Sequence, residues 1–382
     1  MIVQRLAFSN FRNYHLAGIE PSPERNVLWG ANAAGKTNAL EAIVVLATGR
    51  SPRTSRDADL VRWGEQGFHV KAVLARKVGP VTLEVGYDDS AQKVVRINGA
   101  PQKTGALLGN LRVVSFFPDD VYVIKGSPAL RRRLVDITLS QDNPTYYYRL
   151  IQYQKVLLQR NSLLRQWSGR VVPDDLVEPW DAQLSRIGAS IMLRRAAAIA
   201  FMGREGSEVY SRISGGERLE VVYSPSVPVS GGEDVGTVSA RMLEALRSSR
   251  SEDSRRGSTG TGPHRDDILV RVNGSDARLF ASQGQQRTAI LALKAAEMRL
   301  LEERSGESPV LLLDDVFSEL DDARQASVVR EMTAGVQSFI TCTDPGETGG
   351  LAGGSAVFKV SDGNIEKPAP DMAPGEEGVR GT

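Results

Sequence analysis

The sequence has 382 residues, which is enough for two or three hydrophobic cores because a domain usually contains about 100–200 residues. Its composition is that of a globular protein, with 41% hydrophobic and 24% charged residues, and its net charge of +1 neither favours nor excludes a polyanionic partner. Cys342 is the only cysteine, so a disulfide framework and a zinc-ligand cluster are excluded and a reducing, cytoplasmic location is expected. No stretch approaches the roughly 20 apolar residues that cross a bilayer, so no membrane association is expected.

Charge is unevenly distributed along the chain. Residues 121–200 contain 12 Lys or Arg and 6 Asp or Glu, whereas residues 301–382 contain 6 basic and 16 acidic residues. A basic middle region can attract phosphate backbones by releasing their counterions. A solvated helical surface rich in arginine explains the same surplus equally well, so charge alone does not decide between the two.

Residues 1–120 are predicted to form one lobe of mixed α and β structure. Alternating polarity in residues 1–10 indicates a strand rather than a signal peptide, and residues 26–29 indicate a second strand. Residues 37–48 are predicted to be a helix, because their apolar side chains recur at the spacing of one helical face: Leu40, Ile43, Val44 and Ala47. Residues 68–116, with the turn Asn98-Gly99, predict antiparallel hairpins.

Residues 121–260 are predicted to be an inserted helical arm. Asn143-Pro144 is typical of a cap and first-turn proline, and a long helix is expected to run from there to Trp167. A second helix is expected over about 180–202, after a turn that contains Pro173. Residues 248–262 are dense in Ser, Arg and Gly and are expected to be a mobile connection.

Residues 261–362 are predicted to return to the first lobe. The patterns indicate a strand over 268–272, a helix over about 282–304 and a strand over 310–313. The last of these is continuously apolar, which is typical of a strand buried on both faces. Residues 363–382, with several prolines among charges, are expected to be disordered.

A phosphate-binding loop is predicted after the strand at 26–29 and before the helix at 37–48. Its residues are Gly30, Ala31, Asn32, Ala33, Ala34, Gly35, Lys36 and Thr37. Glycine lets successive amide hydrogens point inward, and the start of the helix adds its partial positive charge. Lys36 is expected to reach the outer phosphates and Thr37 to bind magnesium, while Asn38 is expected to complete the nucleotide-binding set.

A second element follows the apolar strand, where Asp314 and Asp315 form a carboxylate pair. The buried strand is expected to deliver Asp314 to the edge of the sheet as a magnesium ligand. Asp315 is expected to orient the attacking water. Paired carboxylates at a strand end are also compatible with an ordinary solvated turn, and it is the upstream phosphate loop that favours the catalytic interpretation.

A third element opens the helix expected at 282–304. Ser282, Gly284 and Gln285 lie at its start, where a hydroxyl and free amides can bind an anion. Two such sites in one chain suggest that the loop of one protomer and the helix start of its partner hold the same nucleotide. A capped helix rich in glutamine is a sufficient alternative for this segment alone.

Together these motifs resemble the ABC-type ATPase heads of the chromosome-maintenance and Rad50 class, and more narrowly the bacterial RecF family. The resemblance covers nearly everything from residue 1 to about 345. It rests on the loop at 30–37, on residues 314–321, and on the segments 8–14, 36–42, 131–136, 159–161, 262–267 and 282–288. It implies an α/β fold in which a mixed sheet with flanking helices carries an inserted helical arm.

The resemblance implies an ATPase that uses ATP and Mg²⁺ and dimerises around the nucleotide. It implies binding to double-stranded DNA and to junctions with single strands, and recombinase loading at gaps with RecR and RecO partners. Lys36, Asp315 and Ser282 would then be catalytic. Arg12 resembles an arginine that touches nucleotide in related heads, and Asp321 would join the two subunits' sites.

The sequence departs from the wider ABC pattern at three places. Ala33 stands where glycine is usual, Asp315 stands where transporter-type members have Glu, and residues 341–343 replace a histidine. The shorter carboxylate is expected to favour slow turnover, suited to a switch. His264 is too far upstream to be assigned the role of the missing histidine.

Three other functions are compatible with a phosphate loop. A transporter's nucleotide-binding subunit would carry its signature closer to the loop, and a long tether would need sustained heptads that residues 121–260 lack. A small-molecule kinase would not need a second helix-start motif. For the DNA-binding hypothesis, Arg131, Arg132 and Arg133 are the candidate contacts, although a solvated helix start explains them as well.

Overall fold

The computed structural model describes residues 1–88, 90, 92–167, 170, 172–316, 331–344 and 355–367. The chain divides into two compact units, of which the first comprises residues 1–120 and 301–382 and the second residues 121–300. The domain boundaries expected at residues 120, 260 and 362 stay predictions, because compactness alone does not define a folding domain. The tail expected to be disordered lies mostly outside the described residues, as do residues 317–330 with Asp321.

The elements in chain order are β1 (Ile2–Phe11), β2 (Tyr14–Ile19), β3 (Arg25–Trp29), α1 (Lys36–Thr48), β4 (Phe68–Ala75), β5 (Val81–Tyr87), β6 (Lys93–Ile97), β7 (Ala100–Pro101), β8 (Val113–Phe116), α2 (Tyr122–Lys125), α3 (Pro128–Asp142), α4 (Pro144–Gln166), α5 (Asp174–Ser214), β9 (Leu219–Ser224), α6 (Val235–Ser248), α7 (Arg250–Arg256), β10 (Asp267–Val272), β11 (Ser275–Asp276), α8 (Ala277–Phe280), α9 (Gln283–Ser305), β12 (Val310–Asp314), β13 (Ser338–Cys342), β14 (Ala356–Ser361) and β15 (Asn364–Glu366). Among these residues, no helix is long and apolar enough to cross a bilayer.

The first unit contains two sheets. One is antiparallel in the order β2-β1-β4-β5-β6-β7, and the other has the order β15-β14-β3-β13-β12-β8, with parallel pairing from β14 to β8. The predicted antiparallel hairpins are confirmed over residues 68–101, but the prediction was wrong for residues 113–116, which form β8 and pair in parallel with β12 in the other sheet. Asn98 and Gly99 both have positive φ, 51° and 79°, as a two-residue turn that follows the twist of its strands requires.

Helix α1 lies between these two sheets. It contacts β4 and β5 of the antiparallel sheet and β8, β12 and β13 of the other. Its predicted apolar face is buried, but so is nearly every other residue from Ala39 to Ala47. Because α1 is covered by a sheet on both sides, it has no solvent face. The single apolar face predicted from the sequence is therefore only part of its buried surface.

The second unit is mostly helical and contains the small sheet β11-β10-β9. The predicted helix from Pro144 is confirmed, and the side chain of Asn143 caps it by accepting a hydrogen bond from the amide of Thr145. The second predicted helix is much longer than expected, because α5 runs from Asp174 to Ser214 and continues through Pro179. Proline removes one helical hydrogen bond, and tertiary packing outweighs that loss here.

Residues 248–262, expected to be a mobile connection, contain helix α7 with Asp253 and Ser254 buried. The prediction was wrong because the charges of this segment pair with distant ones. Asp253 accepts a hydrogen bond from Arg160 at 2.7 Å, and Arg250 donates to Asp181 at 2.9 Å. Composition cannot reveal such pairings.

Arg131, one of the three candidate DNA contacts, is neither a solvated side chain nor on the surface. Its guanidinium is buried and donates to both carboxylate oxygens of Asp267, at 2.8 and 3.0 Å, and to the carbonyl oxygen of Gly126 at 2.9 Å. Arg132 is half-buried and donates to the carbonyl oxygen of Asp266, while Arg133 is exposed. Of the three, only Arg133 presents its charge to solvent.

Arg160 is the largest fully buried side chain among the described residues. It donates to Asp181 at 2.6 Å, to Asp253 at 2.7 Å and to the hydroxyl of Thr259 at 2.9 Å. The segment 159–161, which carried part of the family resemblance, therefore has a structural role. It ties α4, α5 and α7 together.

We expect Arg160→Ala to lower the free energy of unfolding of the second unit by about 4 kcal/mol, because it leaves two carboxylates buried without a cation. Urea unfolding followed by circular dichroism measures this change. Arg186→Ala is the matched control, since Arg186 is exposed on α5 and its loss is expected to cost less than about 0.5 kcal/mol. Equal stability of the two variants would contradict the role assigned to Arg160.

Candidate nucleotide-binding site

The candidate site lies at the carboxyl edge of the parallel strands β3, β13 and β12 of the first unit. In the register of the sheet, Cys342 of β13 lies opposite Trp29 of β3, and Thr341 lies opposite Asp314 of β12. The loop after Trp29 therefore begins beside the ends of the other two strands. Ligand sites in parallel sheets form at this edge.

The predicted phosphate loop, residues 30–35, joins β3 to α1 in a backbone conformation that needs glycine at two positions. Gly35 has φ 118°, and a Cβ there would lie 2.6 Å from the side-chain nitrogen of Asn13. A Cβ on Gly30 would lie 2.1 Å from the carbonyl oxygen of Val360. Ala33, which stands where glycine is usual, has φ 65°. This left-handed conformation costs an alanine about 1–2 kcal/mol, so the backbone at Ala33 is strained.

The loop is held by polar side chains from the start of the chain. Asn13 donates to the carbonyl oxygen of Ala34 at 2.8 Å, and the hydroxyl of Tyr14 donates to that of Gly35 at 2.9 Å. Asn38, on the first turn of α1, donates to the side-chain oxygen of Asn13 at 2.9 Å. Burial raises the pKa of Tyr14, so its phenol stays a donor. Asn13 and Tyr14 belong to the segment 8–14 that carried part of the resemblance, but the sequence alone did not indicate that they contact the loop.

Lys36 opens α1 and its side chain curls over the loop. Its ammonium donates to the carbonyl oxygens of Gly30 at 2.6 Å and Ala31 at 3.0 Å, and the residue is 8% exposed. The cation is thus held over the loop whose amides are expected to face phosphate. This is the place from which the predicted contact to the outer phosphates can be made.

Asp314 is the last residue of β12, and its carboxylate is hydrogen-bonded to Thr37. The hydroxyl of Thr37 lies 3.0 and 2.9 Å from the two carboxylate oxygens of Asp314, and the hydroxyl of Thr341 donates to one of them at 2.7 Å. Burial raises the pKa of Asp314, and the two threonine hydroxyls oppose that rise by stabilising the charged form. The structure therefore brings together the two predicted metal ligands, which lie 277 residues apart in the sequence.

Asp315, the predicted water-orienting residue, follows at the exposed end of the same strand. It adopts a positive φ of 50°, and its amide donates to the hydroxyl of Thr341 at 3.0 Å. Thr341, which stands near the place of a histidine in transporter-type heads, thus bonds both carboxylate residues through one hydroxyl. The sequence signalled the departure at 341–343 but not this function.

Arg12 lies near the phosphate loop but is engaged by protein groups. Its guanidinium donates to both carboxylate oxygens of Glu41, at 2.8 and 2.7 Å, and to the carbonyl oxygen of Asp59 at 2.8 Å. Arg53 joins the same carboxylate at 3.3 Å and donates to the side-chain oxygen of Asn38 at 2.8 Å. The nucleotide contact predicted for Arg12 remains a prediction, and its ion pair with Glu41 is what the structure shows.

Glu41 is a further residue at this site to which the sequence assigned no role. Its side chain is fully buried on α1 and accepts hydrogen bonds from Arg12, from Arg53 and, at 2.5 Å, from the hydroxyl of Ser51. A carboxylate inside an otherwise apolar helix was the available signal, because a buried charge requires partners. It fixes Arg12 and Arg53 beside Asn38.

Ser282, Gly284 and Gln285 belong to the second unit, at the start of α9. The amide of Gln285 donates to the hydroxyl of Ser282 at 3.2 Å, and the side chain of Gln285 accepts from the amide of Ser282 at 2.9 Å. This reciprocal pair is a capping box, which orders the first turn of the helix. Ser282 is exposed, and its predicted role toward a partner's nucleotide stays a prediction.

His264 also lies in the second unit, where it shares a hydrogen bond of 2.8 Å with the hydroxyl of Tyr153. Burial lowers the pKa of His264 to about 4, so the imidazole is neutral at pH 7. The residue is a structural part of the segment 262–267.

Comparison with known proteins agrees with this geometry. The sequence matches the family described as RecF/RecN/SMC N terminal domain over residues 2–365. It is 46% identical over 348 residues to the DNA replication and repair protein RecF of Symbiobacterium thermophilum, covering 90% of this chain and 92% of that protein. Two solved structures of the recombination mediator protein RecF, one with ATPrS and one with ATP, superpose with a TM-score of 0.88 at 37% and 36% identity, each covering 96% of this chain and 98% of the other.

We expect Glu41→Gln to lower the free energy of unfolding of the first unit by about 2–3 kcal/mol, since Arg12 and Arg53 lose the charge of the buried carboxylate that they share. Urea denaturation gives the value. Glu20→Gln is the matched control, because Glu20 pairs with Arg5 on the surface with 70% of its side chain exposed, and it is expected to cost less than about 0.5 kcal/mol. A Glu41 variant as stable as the Glu20 variant would refute the structural role of Glu41.

Proposed function

Since the chain belongs to the RecF/RecN/SMC N-terminal domain family of ABC-type ATPases, we propose that it is a DNA-binding ATPase of replication and recombinational repair that ATP switches between monomer and dimer. The observation that carries the proposal is the hydrogen-bonded contact between Thr37 and Asp314. A phosphate loop and a distant carboxylate meet there on one side of a parallel sheet. That arrangement suits a metal-bound triphosphate.

Thr37 and Asp314 fit Mg²⁺ by their chemistry. Hydroxyl and carboxylate oxygens are the hard ligands that this ion prefers, and it is usually held by one or two protein groups together with phosphates and water. No group of three or more His, Cys, Asp or Glu side chains able to hold a metal occurs in the described part of the chain. Bound there, Mg²⁺ would neutralise charge on the outer phosphates.

Other residues of the phosphate loop and of the end of β12 have separate roles in nucleotide binding and hydrolysis. Lys36 leaves its carbonyl partners and pairs with the outer phosphates, while the loop amides from Gly30 to Gly35 hold the phosphate chain. Asp315 orients the attacking water from the exposed end of β12. Because its carboxylate is one methylene shorter than that of Glu, turnover is slow, and the bound nucleotide acts mainly as a switch.

The start of α9 is the part of the chain through which two protomers pair. Ser282, Gly284 and Gln285 form this helix start, where Ser282 presents an exposed hydroxyl and the capping box keeps the first turn ordered. Such a helix start attracts phosphate, so it meets the nucleotide held by the loop of a second protomer. The dimer therefore requires ATP, and its surface binds double-stranded DNA and junctions with single strands.

Partners are proposed from the solved relatives. One of them is described as a recombination mediator in the RecFOR pathway, and the sequence covers nearly the whole of that protein. We extend to this chain the interaction with RecR and RecO and the loading of recombinase at gaps. No specific observation favours the alternative of a transporter's nucleotide-binding subunit.

We expect Asp314→Asn to keep the fold, because an amide oxygen still accepts from Thr37 and Thr341, but to abolish the gain in ATP affinity that Mg²⁺ provides. The loss is about tenfold or more, since a hydrogen-bonded or coordinated charge contributes about 1.5–3 kcal/mol. Titration of ATP with and without Mg²⁺ measures it. Asp315→Asn, one residue away, should retain the Mg²⁺ effect and lose hydrolysis; a Mg²⁺ effect that survives in Asp314→Asn would rule out this metal site.

Sedimentation with and without ATP tests the switch. Wild-type protein should dimerise with ATP, Lys36→Ala should bind ATP about 100-fold more weakly and stay monomeric, and Ser282→Arg should bind ATP normally without pairing. Ser275→Arg, an exposed position of the same unit, is the control for added charge. A Ser282→Arg protein that still dimerises would contradict the role of the helix start.

A further inference from the structure

Thr341 is a buried residue of β13 whose single hydroxyl contacts both members of the carboxylate pair. It donates to Oδ1 of Asp314 at 2.7 Å and accepts from the amide of Asp315 at 3.0 Å. A threonine hydroxyl has one proton and two lone pairs. Because its proton is directed at Asp314 and one lone pair at the amide of Asp315, the hydroxyl is fixed from both sides.

Strand β13 places Thr341 between the two halves of the site. It lies between β3, which leads into the phosphate loop, and β12, which ends at Asp314. In the register of these strands, Thr341 is the neighbour of Asp314 on one side and of Leu28 on the other. The residue is 1% exposed, so its bond to Asp314 is shielded from water. A hydrogen bond in such a setting is electrostatically stronger than one at the surface.

A buried strand does not require a hydroxyl at this position. Valine, which has the same branched shape, is at least as well suited to a strand in the middle of a parallel sheet. Burying a hydroxyl costs free energy unless it is hydrogen-bonded, and the hydroxyl of Thr341 is hydrogen-bonded to the two carboxylate residues. The polar group of Thr341 therefore serves Asp314 and Asp315 rather than the strand.

Asp315 adopts a backbone conformation that needs support. Its φ is 50°, in the left-handed region that residues with side chains rarely adopt. The bond from its amide to Thr341 holds the backbone at the point where β12 ends. Since the backbone sets the direction in which a side chain leaves the strand, Thr341 helps to aim the carboxylate of Asp315.

We propose that Thr341 is a positioning residue for ATP hydrolysis, whose hydroxyl keeps the metal-binding carboxylate of Asp314 and the water-orienting residue Asp315 in a fixed relation. The inference rests on the proposed function and deepens it by naming the group that couples the two carboxylates. Thr341 acts through these neighbours. Metal and attacking water must meet at the same outer phosphate, so the residues that hold them need a common support.

The test separates the hydroxyl from the shape of the side chain. Thr341→Val removes the hydroxyl and keeps the branched shape, whereas Thr341→Ser keeps the hydroxyl and removes the methyl group. In Thr341→Val, the gain in ATP affinity that Mg²⁺ provides should fall about tenfold, while ATP affinity without Mg²⁺ should stay within about twofold of wild type. The value of kcat at saturating ATP and Mg²⁺ should also fall about tenfold, because Asp315 is no longer held.

Thr341→Ser should recover both quantities to within about threefold of wild type, because the group that bonds Asp314 and Asp315 is restored. Equilibrium titration of fluorescent ATP with and without Mg²⁺ measures the first quantity, and release of phosphate measures the second. Both use the full-length protein.

Ser338→Ala is the matched control. Ser338 lies on the same strand, and its buried hydroxyl has no hydrogen-bond partner among the described residues, so its removal should change neither quantity. Urea unfolding checks that each variant is folded. Thr341→Ala is a second hydroxyl-free variant, which replaces Thr341→Val if that protein does not fold.

Three results would overturn the proposal: wild-type behaviour of Thr341→Val, a Thr341→Ser protein as impaired as Thr341→Val, or a loss in only one of the two quantities. Equal losses in Ser338→Ala would also do so, because they would show a general effect of strand packing. If the ATP affinity of wild type does not rise with Mg²⁺, the proposed function fails and this inference fails with it. A rise in wild type that Thr341→Val retains in full counts against the inference alone.

Discussion

The hydrogen-bonded contact between Asp314 and Thr37 is the constraint on which the site depends. A carboxylate that is 4% exposed is costly to bury, and it is tolerated because the hydroxyls of Thr37 and Thr341 both donate to it. These hydrogen bonds bring the start of α1 against the end of β12 and connect β12 to β13 through Thr341. They anchor the α1 end of the phosphate loop.

A second buried carboxylate organises the other side of α1. Glu41 accepts hydrogen bonds from Arg12, Arg53 and Ser51. These bonds connect the β1–β2 turn and the segment after α1 to the phosphate loop. The first unit therefore has two polar centres on one helix whose remaining sides are packed between sheets. Hydrogen bonds and the shared carboxylate of Glu41 thus connect Asn38 to these surface segments.

The second unit also contains buried ion pairs, and there they stabilise the packing of its elements. Arg131, Arg160 and Arg195 are all buried, and each is matched by Asp: Arg195 donates to Asp136 at 2.9 Å with two nitrogens. The basic surplus of residues 121–200 is thus partly internal. Of the segments that carried the family resemblance, 131–136 supplies Arg131 and 262–267 supplies its partner Asp267, so this pair connects α3 to β10.

Local chemistry made much of this predictable from the sequence. Gly30 and Gly35 indicate a loop whose backbone is left-handed or closely packed. The apolar run at 310–313 indicates a buried strand, and Asn143-Pro144 indicates the start of a helix. Each signal depends only on neighbours along the chain, through backbone sterics, hydrogen bonding and periodicity. Tertiary structure decided what depends on distant neighbours: Arg12 is held by Glu41, Arg131 is paired with Asp267, and residues 250–256 form a helix around the pairing of Asp253 with Arg160. Charge pairs form across the fold, and a sequence records the charges but not the partners.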